Sequence, residues 1–135
     1  METGTKVNIL LVDDQPARLL TYQTVLGELG QNLVTARSGV EALEQLMRED
    51  FAVVLLDVSM PEMDGFETMR AIRKLPQFKS LPIVAVTAKA MKGDREKCLE
   101  AGASDYLAKP VSSEQLTSRL CAQLSAQQQT AGPVQ

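Results

Sequence analysis

No histidine occurs anywhere in the 135-residue chain. That absence removes Ser/His and Cys/His nucleophilic arrangements and imidazole zinc sites, and with them most general-base chemistry near neutral pH. Cysteine is scarce: Cys98 and Cys121 lie far apart, with no CxxC and no metal-ligand spacing. Both read as small buried or half-buried hydrophobes on helices. A basic excess is missing too, and a formal net charge of −3 leaves no electrostatic footprint for nucleic acid. Long apolar runs are absent, since AVVLL and PIVAVTA fall far short of the roughly 20 residues of a membrane span. Residues 1–6, METGTK, lack the apolar centre of a signal peptide. The chain is therefore expected in the cytoplasm as one domain, with 44% apolar residues sufficient for a proper core. Its chemistry must run on carboxylates, lysine and hydroxyls.

What is present alternates with a short period. Apolar runs at 7–12, 33–36, 52–56, 83–86 and 106–108 predict five strands. Between them, Leu19, Tyr22, Leu26 and Leu29 recur at helical spacing after Pro16, and Gly30 closes that helix. Ser38 and Glu41 form a capping-box pattern ahead of Val40, Leu43 and Met47, which are expected on one buried helical face. Phe66, Met69 and Ile72 mark a third helix, 91–100 a fourth stopped by Gly102, and Leu116, Leu120 and Leu124 a fifth. Met60-Pro61 and Asp64-Gly65 read as turn residues. Five strands alternating with five helices predict an α/β fold, a parallel sheet covered on both faces. Residues 126–135, AQQQTAGPVQ, lose the periodicity and read as a polar tail or linker stub after a domain at 5–125.

Ligands of open parallel sheets bind outside the carboxyl ends of the strands, where strand order reverses. In this chain those ends carry Asp13 and Asp14, then Asp57, then Thr87, then Lys109. If the first and third strands are neighbours, three carboxylates converge and call for a hard cation with oxygen ligands, Mg²⁺ (or Mn²⁺). A metal, a lysine and a hydroxyl around one carboxylate are the parts needed to receive a phosphoryl group.

LLVDDQP, VVLLDVSMPEMDGFE, IVAVTAKA and AGASDYLAKPV, in that order, give the chain its resemblance to the response-regulator receiver domains of two-component signalling, over about residues 5–125. The resemblance implies a flavodoxin-like doubly wound (βα)5 fold with strand order 2-1-3-4-5. It implies that Asp57 is the phosphoacceptor, fed by a phosphohistidine on a histidine kinase or phosphotransfer protein. It further implies Asp14 as direct Mg²⁺ ligand with Asp57 in the same ligand set, Asp13 acting through water, and Ser59 offering its backbone carbonyl. Thr87 would bind a phosphoryl oxygen, Lys109 would pair with the phosphoryl group, and Tyr106 would be the switch aromatic. A cis bond before Pro110 is a further family feature. The surface of the fourth helix, fifth strand and fifth helix would then be read by an unknown output partner.

Lys89, Lys92, Arg95 and Lys97 are a solvated face or, on the family pattern, a docking face. Ser59 and Lys89, neither an acid nor an amide, predict slow to moderate self-dephosphorylation. MKGDREKCLEAGASDYLAKPV is similar in wording to receivers of hybrid sensor kinases, which favours a piece of such a protein over a stand-alone regulator. Three rivals stand beside this reading. An Mg-dependent aspartyl-phosphate hydrolase would want a second acid where Ser59 stands, and a cap insertion. A flavin carrier would want a hydroxyl-rich loop where DDQPA is anionic. A docking-only receiver would have no use for the full acceptor set. No external product turnover is expected.

Overall fold

Five strands, β1 (Asn8–Val12), β2 (Asn32–Ala36), β3 (Val53–Asp57), β4 (Ile83–Thr87) and β5 (Asp105–Ala108), pair in parallel in the order β2-β1-β3-β4-β5. Helices α1 (Pro16–Leu26), α2 (Gly39–Arg48), α3 (Gly65–Lys74), α4 (Asp94–Ala101) and α5 (Ser113–Ala131) alternate with them. This computed structural model describes residues 6–58, 65–87, 94–109 and 111–131, with side chains except at 94–95 and 125–131.

The continuous apolar strands are explained by burial on both faces. Along β1 and β3, side chains alternate between two cores. Ile9, Leu11, Val53 and Leu55 face Leu19, Tyr22 and Leu26 of α1 and Leu116 and Leu120 of α5. Leu10, Val12, Val54 and Leu56 face Ala42 and Leu46 of α2, Met69 and Ile72 of α3, and Cys98 and Ala101 of α4. Each fully buried leucine or isoleucine contributes about 1.5–3 kcal/mol relative to exposure. The registers Val12↔Leu56 and Asp57↔Val86 bring the carboxyl ends of β1, β3 and β4 level with one another. β1 pairs with β2 on one side and β3 on the other, so strand order reverses there. That is where such a sheet opens a crevice.

Several local details depart from the sequence reading. α1 ends at Leu26, and a 3-10 turn, Gly27–Leu29, precedes Gly30, whose φ of 71° makes the left-handed cap. Ser38 Oγ accepts from the Glu41 N–H at 3.1 Å as a cap should, but the Glu41 carboxylate reaches back to the Arg37 N–H rather than to Ser38. The buried face of α2 is Gly39, Ala42 and Leu46, with Leu43 partly covered; Val40 and Met47 are exposed. Small residues at 39 and 42 let the helix lie close to the sheet, and that face excludes the larger pair. Cys98 is buried, whereas Cys121 is exposed, one residue past the buried Leu120 and so turned off the core stripe of α5. α5 runs helical through Ala131, into the Gln-rich stretch. Gln and Ala sustain a helix well, and the first strong breakers are Gly132 and Pro133.

Candidate functional site

β1 delivers the acid pair. Leu10, Leu11 and Val12 are fully buried, so the chain emerges at Asp13 with little freedom, and the Asp13 N–H donates to Ala36 O at 3.1 Å. Asp13 is itself fully buried, and its Oδ1 accepts from the Gln15 N–H at 2.9 Å. That turn brings Pro16 to the first position of α1, where its missing N–H costs nothing. Asp14 is half-buried beside an open groove lined by Arg37, Ser38, Glu41 and Glu44. β3 delivers Asp57, buried at the end of a strand with no exposed residue. One carboxylate oxygen each from Asp13, Asp14 and Asp57 lie within 4.8 Å of one another.

Lys109, which follows β5, reaches Asp57 Oδ1 with its Nζ at 3.2 Å, and its N–H donates to Thr87 O at 2.8 Å. Thr87 ends β4, buried, in register with Ala108. Asp13, Asp14, Asp57 and Lys109, far apart in sequence, thus form one cluster, with Thr87 on the neighbouring strand end. Tyr106 is half-buried on β5 and packs against the α2, α3 and α4 side of the sheet. Beside it, Arg119 of α5 donates to both oxygens of Asp105 at 2.7 Å, tying the last strand to the last helix.

The sequence reading missed Arg18. Its Nε stands 3.6 Å from Asp13 Oδ2 and its NH1 3.8 Å from Asp57 Oδ2. A signal was available: a cation in the first turn of a helix opposes the helix dipole, so a basic residue there wants an anion close by. Gly65 was read as a turn residue; it is the first residue of α3 and a point of close approach. A Cβ at that position would lie 2.3 Å from Val58 Cα and 2.7 Å from Asp57 O. Glycine there lets α3 begin against the end of β3. Ser59, Met60-Pro61, Asp64, Lys89, Lys92 and Pro110 lie outside the described residues, as does the Arg95 side chain. Lys97 is exposed, with its Nζ 5.2 Å from the centroid of the Phe66 ring.

The electrostatics follow from burial. Loss of solvent raises the Asp13 carboxyl from 3.8 to about 6; the charge of Asp57 adds to the rise, and the Gln15 N–H, Arg18 and Lys109 oppose it. Tyr22, buried beneath the cluster, is pushed up to about 12 by burial and then by the Asp13 and Asp57 charges. Asp13 Oδ2 is buried and accepts no hydrogen bond among the described residues. A buried carboxylate oxygen without a donor is costly, and a hard cation with oxygen ligands would satisfy it. The donor set therefore fits Mg²⁺ or Mn²⁺. Chemically, the arrangement offers a fixed carboxylate, Asp57, with a lysine on one oxygen and two further acids clustered with it.

Comparison with known proteins agrees with this geometry. Residues 9–121 match the family model described as "Response regulator receiver domain". The chain is 40% identical over 115 residues to the signal transduction histidine-protein kinase BarA of Escherichia coli (strain K12), covering 85% of this chain and 12% of that protein. It is 44% identical over 111 residues to the sensor protein GacS of Pseudomonas syringae pv. syringae, covering 80% of this chain and 12% of that protein. The chain thus spans about an eighth of the length of these relatives. Among solved structures, the receiver domain of sensor histidine kinase PA1611 from Pseudomonas aeruginosa PAO1 superposes with a TM-score of 0.82 at 35% identity, covering 90% of this chain and 99% of that one. That structure has a magnesium ion coordinated in its active-site cleft. From its four strand-end motifs, its doubly wound sheet and these matches, the chain belongs to the family of response regulator receiver domains.

Proposed function

We propose that the chain is a phosphorylatable switch whose Asp57 accepts a phosphoryl group from a phosphohistidine of a histidine kinase or phosphotransfer protein. The observation that carries this reading is the setting of Asp57: a buried strand-end carboxylate with Lys109 Nζ at 3.2 Å and two further acids clustered on it. In the transfer, an Asp57 carboxylate oxygen attacks phosphorus and the phosphorus–nitrogen bond breaks. The electron pair returns to the imidazole nitrogen; with the donor's other ring nitrogen protonated beforehand, the leaving group is a neutral histidine, and an acyl phosphate forms here. Lys109 moves from the carboxylate to a phosphoryl oxygen, and the Thr87 hydroxyl donates to another. Asp14 and Asp57 would hold the metal directly and Asp13 through water, and on the family pattern Ser59 would add its backbone carbonyl. Mg²⁺ (or Mn²⁺), when bound, neutralises charge on the phosphoryl oxygens.

Capture of the phosphoryl group by Thr87 and Lys109 draws two strand ends together, and Tyr106 follows inward. The equilibrium of α4, β5 and α5 shifts, and an output partner reads that surface. The similarity to sensor kinases supports a kinase or phosphotransfer partner, and the magnesium in the PA1611 receiver supports the metal. No described helix is long and apolar enough to cross a membrane, and we place the domain in the cytoplasm, turning over no external product.

Incubation with Mg²⁺ and labelled acetyl phosphate tests the assignment. Wild-type protein should take up acid-stable, base-labile label, and Asp57→Asn should take up none. Equal labelling of the two would refute it.

A further inference from the structure

We infer that Arg18 is a built-in counter-ion for the metal-free site, one that has to vacate the acid cluster for a divalent cation to enter. The inference rests on the metal reading given above and extends it to a residue outside the acceptor set. Arg18 stands between the carboxylates of two neighbouring strands, with Nε 3.6 Å from Asp13 Oδ2 and NH1 3.8 Å from Asp57 Oδ2. Lys109 takes the other Asp57 oxygen at 3.2 Å. Any cation entering among the three acids therefore meets a positive charge already seated on two of them.

Two features make the guanidinium displaceable. Its distances exceed the 2.7–2.9 Å of a charge-assisted hydrogen bond, so attraction holds it without directed bonds. Its side chain is also 39% exposed, so it can swing into water without first crossing packed atoms. Its partners differ from it in this respect: Asp13 and Asp57 are buried and fixed by their strands. The mobile half of each ion pair is the arginine. In the metal-free protein it relieves repulsion between Asp13 and Asp57, and during metal binding the same charge opposes the incoming ion.

Mg²⁺ titration by calorimetry of wild type, Arg18→Ala and Arg18→Met tests this, the methionine retaining an unbranched apolar stem. Thermal unfolding in EDTA and in saturating Mg²⁺ accompanies it. Both neutral variants should bind Mg²⁺ about three- to tenfold more tightly than wild type, solvent screening keeping the effect well below the bare Coulomb value. Their melting temperatures should fall in EDTA and recover in Mg²⁺, so the Mg²⁺-dependent rise exceeds that of wild type. Wild type failing to bind while both variants bind is the same inference at its limit. Unchanged or weaker Mg²⁺ affinity in both folded variants, with wild type binding normally, overturns the inference and leaves the proposed function standing. Absence of binding in all three proteins overturns the metal reading, and this inference with it.

Discussion

Arg73 and Gly102 are joined by a fork: Nε and NH2 of the arginine donate to the one glycine carbonyl, at 2.9 and 2.7 Å. The third guanidinium nitrogen, NH1, donates to Phe78 O at 2.6 Å. One side chain of α3 thereby caps the end of α4 and holds the turn that leads into β4. Gly102 has φ 123°, which disfavours any other residue, and its α face lies against the arginine stem. Burial lowers the Arg73 pKa; a guanidinium nonetheless stays protonated in proteins, so the fork is charged. Arg73→Ala should destabilise the domain by about 2–3 kcal/mol, since part-buried carbonyls lose a charged donor. Urea unfolding measures it, and Arg73→Lys should recover only part, lacking the planar fork. A loss under about 0.5 kcal/mol, the size of an ordinary surface change, would contradict this role.

Two glycines should respond to alanine in opposite directions. Gly65→Ala places a Cβ 2.3 Å from Val58 Cα, so α3 must back away from the end of β3. A loss of at least about 2 kcal/mol is expected, with slower acetyl phosphate labelling because Asp57 O is the next atom met. Gly27 has φ −56° and nothing within 4 Å of an added Cβ. Gly27→Ala should stabilise by about 0.4–1 kcal/mol. The pair is read together in one set of denaturation curves.

Asp13 should make the metal-free domain less stable as pH rises. Its carboxyl titrates at 3.8 unfolded and at about 6 folded, so across that interval the folded state keeps a proton the unfolded state has lost. Stability from this group is intact below about 3.8, declines as pH rises to about 6, and stays lost above. The loss is on the order of 3 kcal/mol. In EDTA, Asp13→Asn should therefore be more stable than wild type at pH 7.5, and the gap should close near pH 4. A gap independent of pH would assign the difference to packing instead.

The same group should tie metal affinity to acidity. A proton on Asp13 removes one of the clustered negative charges, so Mg²⁺ affinity should be level above pH 7 and fall below about 6. The limiting slope is about tenfold per pH unit, read by calorimetry in two buffers that also report the released proton. Asp13→Asn should flatten the profile.

The clustering of the candidate site residues was legible because each stands at the end of an apolar strand, where sequence order and spatial position coincide. Asp13, Asp14 and Asp57 needed only the assumption that β1 and β3 are neighbours; Lys109, which follows β5, needed the strand order that the family resemblance implied. Arg18 and Arg73 sit mid-pattern on helices, and their partners are set by rotation about the helix axis and by tertiary approach. Apolar spacing alone does not report either. Val40 and Met47 were misplaced for a related reason. Helical periodicity identifies a stripe, but close packing of Gly39 and Ala42 against the sheet decided which stripe went inside. Gly65 illustrates a further limit, since a tight backbone approach leaves no trace in the residue except its smallness.

The chain has no tryptophan and two tyrosines. Tyr22, on α1, packs in the core that α1 shares with α5, close enough to Asp13 and Asp57 for their charges to act on its phenol. Tyr106 packs on the opposite face of the sheet. The intrinsic near-ultraviolet signal of the domain is therefore divided between a chromophore beneath the acid cluster and another on the strand next to β4. Cation entry and strand rearrangement, as proposed, should leave separable optical signatures, and Tyr106→Phe should isolate the first without any attached label.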